Sequence, residues 1–67
     1  MSREIVRDRA GRVLGWYEDN GISGRINARD ASGRWIGFYD KKLNETRDPG
    51  GRLLAKGNVL PSLIFRP

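Results

Sequence analysis

The chain has 67 residues, contains neither cysteine nor histidine, and carries 13 basic against 8 acidic residues, a net charge of +5. This length fits one small domain, residues 1–67, whose thin core would gain stability from self-association. The lack of cysteine and histidine excludes disulfides, thiolate metal sites and histidine-based catalysis, so we expect no enzyme activity, no metal and no cofactor. No run approaches the roughly 20 apolar residues of a membrane span, and we expect a cytoplasmic protein without a membrane partner.

A nine-residue motif occurs three times along the chain. Each copy reads Arg-Asp, two spacer residues, Gly-Arg, two apolar residues, and Gly or Ala; the copies occupy residues 7–15, 29–37 and 47–55. An aspartate that opens a turn, a glycine three residues later and an apolar run are together typical of a β-hairpin. The sequence therefore predicts an all-β fold, an antiparallel six-stranded meander of three hairpin repeats. It would form a curled sheet or a small open barrel.

The predicted elements follow one another without a helix before residue 58. The hairpin repeats are expected at about 3–18, 22–40 and 45–57, with strands at 3–7, 12–18, 22–29, 34–39, 45–47 and 52–56. Asn20-Gly21, between the second and third strands, is the strongest signal for a two-residue hairpin turn, because this pair readily supplies two consecutive residues of positive φ.

The second strand is apolar on both faces, and the fourth strand repeats its pattern. Strict alternation places Tyr17 opposite Leu14 and Trp16. The matching glycines Gly15 and Gly37 would let an aromatic ring lie over the backbone or let the sheet bend. A sheet with one wet face does not need large apolar residues on both sides, so we expect one face to pack within the chain and the other to meet a partner.

The C-terminal segment, residues 58–67, is predicted to form a short helix or an arm. Asn58 is a suitable cap, and Pro61 is tolerated in the first turn of a helix. Four large apolar side chains follow, which we expect to cover the core or to form an oligomer interface: Leu60, Leu63, Ile64 and Phe65.

Seven residues are the candidates for an interaction site: Arg12, Trp16, Arg25, Arg29, Arg34, Trp35 and Phe38. Because the motif's aspartate and glycine serve the turns, the arginines are what it leaves free for recognition. One interpretation is a non-enzymatic module that acts through protein–protein interaction and self-association, with a homodimer favoured and another protein possible. The alternative is a nucleic-acid-binding β domain in which bases stack on the aromatic rings and guanidinium groups hold phosphates.

Residues 33–40, Gly-Arg-Trp-Ile-Gly-Phe-Tyr-Asp, resemble the tyrosine-aspartate repeats of large bacterial shell-forming proteins. The resemblance covers only part of the chain and is a short turn pattern on which many β-repeats converge. It implies no function here.

Overall fold

A computed structural model describes residues 2–19, 21 and 24–65 as one antiparallel sheet with a short helix. The elements are β1 (Ser2–Arg7), β2 (Val13–Asp19), β3 (Arg25–Asp30), β4 (Trp35–Asp40), β5 (Glu45–Arg47), β6 (Leu53–Lys56) and α1 (Leu60–Ile64). The strands pair in the order β1-β2-β3-β4-β5-β6, so each lies beside its sequence neighbours and β1 and β6 are the two edges. The predicted six-stranded meander is confirmed, as an open sheet.

The three repeat turns share one hydrogen-bond pattern. In the first, the amide of Asp8 donates to the carbonyl of Arg12 at 2.9 Å, and the amide of Gly11 donates to the carbonyl of Asp8 at 3.0 Å. The same two bonds recur in the turns that begin at Asp30 and Asp48. The third residue after each aspartate is a glycine with φ between +86° and +91°, a region that costs glycine little. The predicted turn roles of the motif aspartate and glycine are therefore confirmed.

A β-bulge follows each repeat turn. In the first repeat, Val6 pairs with Gly15 whereas Arg7 pairs with Val13, so Leu14 is an extra residue on β2. Equivalent register shifts in the second and third repeats make Ile36 and Leu54 the extra residues. A bulge of this kind bends the strand and changes the face on which the following side chains lie.

The bulges divide the apolar side chains differently from strict alternation. Leu14 and Tyr17 both pack against the core beneath α1, and so do Ile36 and Tyr39. Alternation predicts that Leu14 lies opposite Tyr17, and this prediction is wrong because the bulge adds one residue to the strand. Phe38 and the two tryptophans are left on the other face of the sheet.

The two predicted structural glycines allow close approach of neighbouring groups. A Cβ atom on Gly15 would lie 2.1 Å from the carbonyl oxygen of Arg29 on β3. A Cβ on Gly37 would lie 2.7 Å from Cδ1 of Leu63 and 2.9 Å from the carbonyl oxygen of Arg47. The first glycine therefore sets the distance between β2 and β3, and the second makes room for α1.

The core lies between α1 and one face of the sheet. Its buried members are Val6, Ala28, Leu60 and Ile64, and Leu63 packs against them. Pro61 lies in the first helical turn as predicted, but the N-cap residue is Val59 and not Asn58. Asn58 instead accepts a hydrogen bond at its Oδ1 from the amide of Leu60 at 3.0 Å. The C-terminal segment is thus a helix that covers the core, although Phe65 beyond it remains 53% exposed. In the described part of the chain, no helix is long and apolar enough to cross a membrane.

The connection between β2 and β3 is longer than predicted. β2 ends at Asp19, which pairs with Ile26, so a two-residue turn between these strands is wrong. Of the predicted strand 22–29, the part from Arg25 onward is a strand and Gly24 is not. Gly24 has a φ of +74°, outside the extended range, and a regular strand begins only after it. Asn20 and residues 22–23 lie outside the described residues.

Candidate interaction surface

The sheet face opposite α1 is covered by no other element of the described chain. We call it the open face and define it by Ile5, Val13, Trp16, Trp35, Phe38 and Leu53. Four of these side chains remain exposed: Ile5 at 43%, Val13 at 36%, Trp35 at 36% and Leu53 at 45%. The strand register brings them together, because Ile5 pairs with Trp16, and both Trp16 and Trp35 pair with Arg29. Exposed apolar side chains grouped on one surface are typical of an interaction site.

Two of the three predicted aromatic candidates form a stacked pair. The ring centroids of Trp35 and Phe38 are 5.8 Å apart with an interplanar angle of 20°. The guanidinium of Arg25 lies 4.6 Å from the Phe38 ring, and that of Arg3 lies 4.9 Å from the Trp16 ring. Phe38 is consequently only 4% exposed, so it supports the surface from beneath, and Trp35 is the aromatic side chain that the surface presents most openly.

Glu18 gathers the polar groups around Trp16. Its carboxylate accepts hydrogen bonds from the Trp16 indole at 2.8 Å and from Nε of Arg29 at 3.0 Å, and Arg3 lies 3.5 Å away. The indole hydrogen bond, followed by that of Arg29, holds the pKa of Glu18 below its ordinary value. The predicted site residues Trp16 and Arg29 are therefore fixed to each other through this carboxylate.

Glu45 also binds two cations, near the opposite edge of the sheet. Arg47 donates to its carboxylate at 2.6 Å, and Lys56 donates to the second oxygen. These two hydrogen bonds, that of Lys56 above all, lower the pKa of Glu45. The side chain is largely buried, and both of its oxygens are satisfied. Glu18 thus holds Arg3 and Arg29 in place, and Glu45 holds Arg47 and Lys56.

The first arginine of each motif copy closes its own turn. Arg7 donates to the carbonyl of Gly11 at 3.0 Å, and the same bond forms between Arg29 and Gly33 at 2.9 Å and in the third repeat at 2.7 Å. The prediction that the motif leaves its arginines free is therefore wrong for the arginine before each aspartate. The sequence signal for this turn-closing role is that an arginine precedes the aspartate in all three copies of the motif.

The second arginine of each motif copy lies exposed at the turns. Arg12 has an 83% exposed side chain and contacts Asp8 at 3.2 Å. Arg34 and Arg52 occupy the equivalent positions in the other two turns and are also exposed. The seven predicted candidates are accordingly split between two surfaces: Arg12 and Arg34 lie at the turns, whereas Arg25, Arg29 and the three aromatic residues belong to the open face.

Sequence reasoning missed the aliphatic members of the open face. Ile5 and Leu53 lie near the two edges of the sheet and belong to this face through their pairing with Trp16 and Arg47. Their signal is weak in the sequence, because single exposed aliphatic residues are common and only the register groups them.

Comparison with known proteins gives no relative. No protein-family model matches this chain, and no curated protein or solved structure is significantly similar to it. Within the described residues, no three histidine, cysteine, aspartate or glutamate side chains come together in a way that could hold a metal ion. The binding chemistry of the protein is therefore inferred from its own surfaces.

Proposed function

We propose that this protein is a non-enzymatic interaction module of the cytoplasm that self-associates through the open face. The observation that carries the proposal is the group of exposed apolar side chains on a sheet face that α1 does not cover. Removing apolar surface from water is worth roughly 25 cal/mol for each Å². A partner that buries Ile5, Val13, Trp35 and Leu53 would thus gain free energy without any rearrangement of the sheet.

A second copy of the chain is the partner that this face fits best. In a two-fold symmetric dimer the same patch lies on both sides of the interface, so one apolar surface covers another of equal size. The core within the described chain is small, with only five buried hydrophobic residues, and a small domain gains stability from association. Another protein with a complementary apolar surface could use the same face.

The open face favours a protein partner over nucleic-acid bases. A base that stacked on Trp16 or Phe38 would have to displace the guanidinium of Arg3 or Arg25 from the ring. Arg29 is held by Glu18 and by the carbonyl of Gly33, so it is not available for phosphate. The aromatic side chains of this face and the arginines beside them are therefore already held by contacts within the chain, which lowers the entropic cost of binding a folded partner.

Sedimentation equilibrium with a pair of leucine variants tests the proposal. Leu53→Gln changes a side chain that is 45% exposed on the open face, whereas Leu43→Gln changes one that is 57% exposed in the β4–β5 turn. Leu53→Gln should weaken the dimer by about tenfold or more, because a symmetric interface loses two leucines at once. Leu43→Gln should associate like the wild type.

Two results would contradict the proposal. One is a wild-type protein that remains monomeric at high micromolar concentration. The other is an equal effect of the two substitutions, which would place the contact elsewhere. Circular dichroism of both variants establishes that the sheet is intact.

A further inference from the structure

The three repeat turns meet at one end of the sheet, because the hairpins of a meander turn at alternating ends. We call this end the turn edge and define it as residues 7–12, 29–34 and 47–52. Seven arginines and three aspartates lie in these segments, which gives the turn edge +4 of the chain's net charge of +5. Charge that is dispersed along the sequence is thus concentrated at one end of the fold.

The aspartates of the turn edge are occupied within their own turns. Oδ1 of Asp30 accepts hydrogen bonds from the hydroxyl of Ser32 at 2.6 Å and from the amides of Ser32 and Arg34 at 3.0 Å. Arg34 and Arg52 are exposed, and within the described chain their guanidinium groups form no hydrogen bond and no ion pair shorter than 4.0 Å. Together with the exposed Arg12, they form a row of outward-facing cations.

A cleft of about 410 Å³ opens between the second and third turns and the end of α1. Five apolar residues line it together with Arg34 and the already bonded Asp30: Trp35, Ile36, Pro49, Leu63 and Ile64. This volume lies within the roughly 300–1,000 Å³ of small-molecule sites. Apolar walls beside a guanidinium fit a flat heterocycle that carries an anionic group.

We infer that the turn edge binds the phosphate backbone of single-stranded nucleic acid, with one unpaired base in the cleft. Neighbouring repeat turns are two strand spacings apart, about 10 Å, which is the rise of about three nucleotides in a stacked strand. Arg12, Arg34 and Arg52 then meet phosphates at regular intervals over about six nucleotides. Guanidinium groups suit this role because they bind phosphate oxygens in pairs.

The cleft favours single-stranded nucleic acid over a duplex. A base within a duplex reaches such a cleft only after unpairing and unstacking, at a cost of a few kcal/mol, whereas a single strand offers its bases freely. Trp35 belongs to both the open face and the cleft, but Arg34 and Arg52 are not members of the open face. Variants of these two arginines therefore test nucleic-acid binding without changing the surface proposed for self-association.

Fluorescence anisotropy with labelled oligothymidylate and oligouridylate, each of about ten nucleotides, tests the inference over a salt series. Each phosphate contact to a single strand contributes about −0.7 to the slope of log affinity against log salt. Arg34→Gln with Arg52→Gln should therefore reduce the slope by about 1.4 and weaken binding at low salt. The control is Lys41→Gln with Lys42→Gln, which removes the same charge from the β4–β5 turn at the other end and should bind like the wild type.

Five results would overturn the inference. Three concern the oligonucleotides: neither binds at low salt, only the deoxyribose or only the ribose oligonucleotide binds, or a duplex of the same length binds more tightly. The other two are equal weakening of binding by the two double variants and equal competition by polyglutamate. Equal weakening would mean that net charge alone acts, and competition by polyglutamate would indicate an acidic protein partner. The arginine double variant should keep the wild-type mass in sedimentation, which separates this result from that of the open face.

Discussion

Gly15→Ala should disrupt the pairing of β2 with β3. The new Cβ atom would lie 2.1 Å from the carbonyl oxygen of Arg29, whereas ordinary van der Waals contact begins near 3.4 Å. It would also lie 3.1 Å from Cα of Asp30 and 3.2 Å from the carbonyl carbon of Arg29. All three atoms belong to the backbone, so no side-chain rotation relieves the clash. The two strands would have to separate by about 1 Å at this point.

The cost follows from the position of Gly15 in the sheet. Gly15 pairs with Val6 on one side and with Asp30 on the other, so a displacement disturbs both neighbouring strands. Overpacking that forces backbone shifts costs about 1–3 kcal/mol and occasionally more, and we expect about 3 kcal/mol because the contact is with backbone atoms. In a domain of this size that lowers Tm by about 12 °C or more.

Urea unfolding followed by tryptophan fluorescence, at one fixed protein concentration, measures this loss. Gly50→Ala is the matched control, since the nearest atom to its Cβ would be Oδ1 of Asp48 at an acceptable 3.4 Å. We expect that variant to stay within about 0.5 kcal/mol of the wild type. A Gly15→Ala protein as stable as Gly50→Ala would refute the close approach of β2 and β3.

Arg47→Gln should cost about 1.5–3 kcal/mol of unfolding free energy, because it removes the bonds to Gly51 and to the buried Glu45 at 2.7 and 2.6 Å; Arg52→Gln in the same turn should cost less than about 0.5 kcal/mol. Equal losses in thermal melts would show that the first motif arginine does not lock the turn. The free energy of unfolding should also fall as the pH drops below about 5. Several carboxylates, Asp30 among them, have a pKa in the folded protein below the ordinary value. The unfolded chain therefore binds more protons than the folded protein in this acidic range, which favours unfolding. A profile that stays flat down to pH 3 would contradict this, and chemical denaturation at a series of pH values decides it.

The hairpin framework was accessible from the sequence, whereas the division of side chains between faces was not. The turns at Asp8, Asp30 and Asp48 follow from local chemistry, since an aspartate carboxylate and a glycine with positive φ define them. A bulge is a property of two strands, and its extra residue is recognised only from the register. The placement of Leu14 with Tyr17 therefore required the structure.

The candidate site was predictable in composition but not in geometry. Strict alternation places Trp35 and Phe38 on opposite faces, and this prediction is wrong because the bulge at Ile36 brings both rings to the open face, where they stack. Motif position alone did not separate the arginines that lock turns, such as Arg29, from those that face outward, such as Arg34. The arginine before each aspartate donates to the carbonyl of the turn glycine four residues later, whereas the side chain of the arginine after that glycine stays exposed.

Quenching of tryptophan fluorescence by acrylamide, measured together with the mass in solution, tests the central claim most directly. Both tryptophans of the chain, Trp16 and Trp35, belong to the open face, so their emission reports on that surface. We expect the quenching constant to fall as the concentration rises from low to high micromolar, in step with the conversion of monomer to dimer. A dimer that forms while quenching stays constant would place the interface elsewhere and contradict the claim.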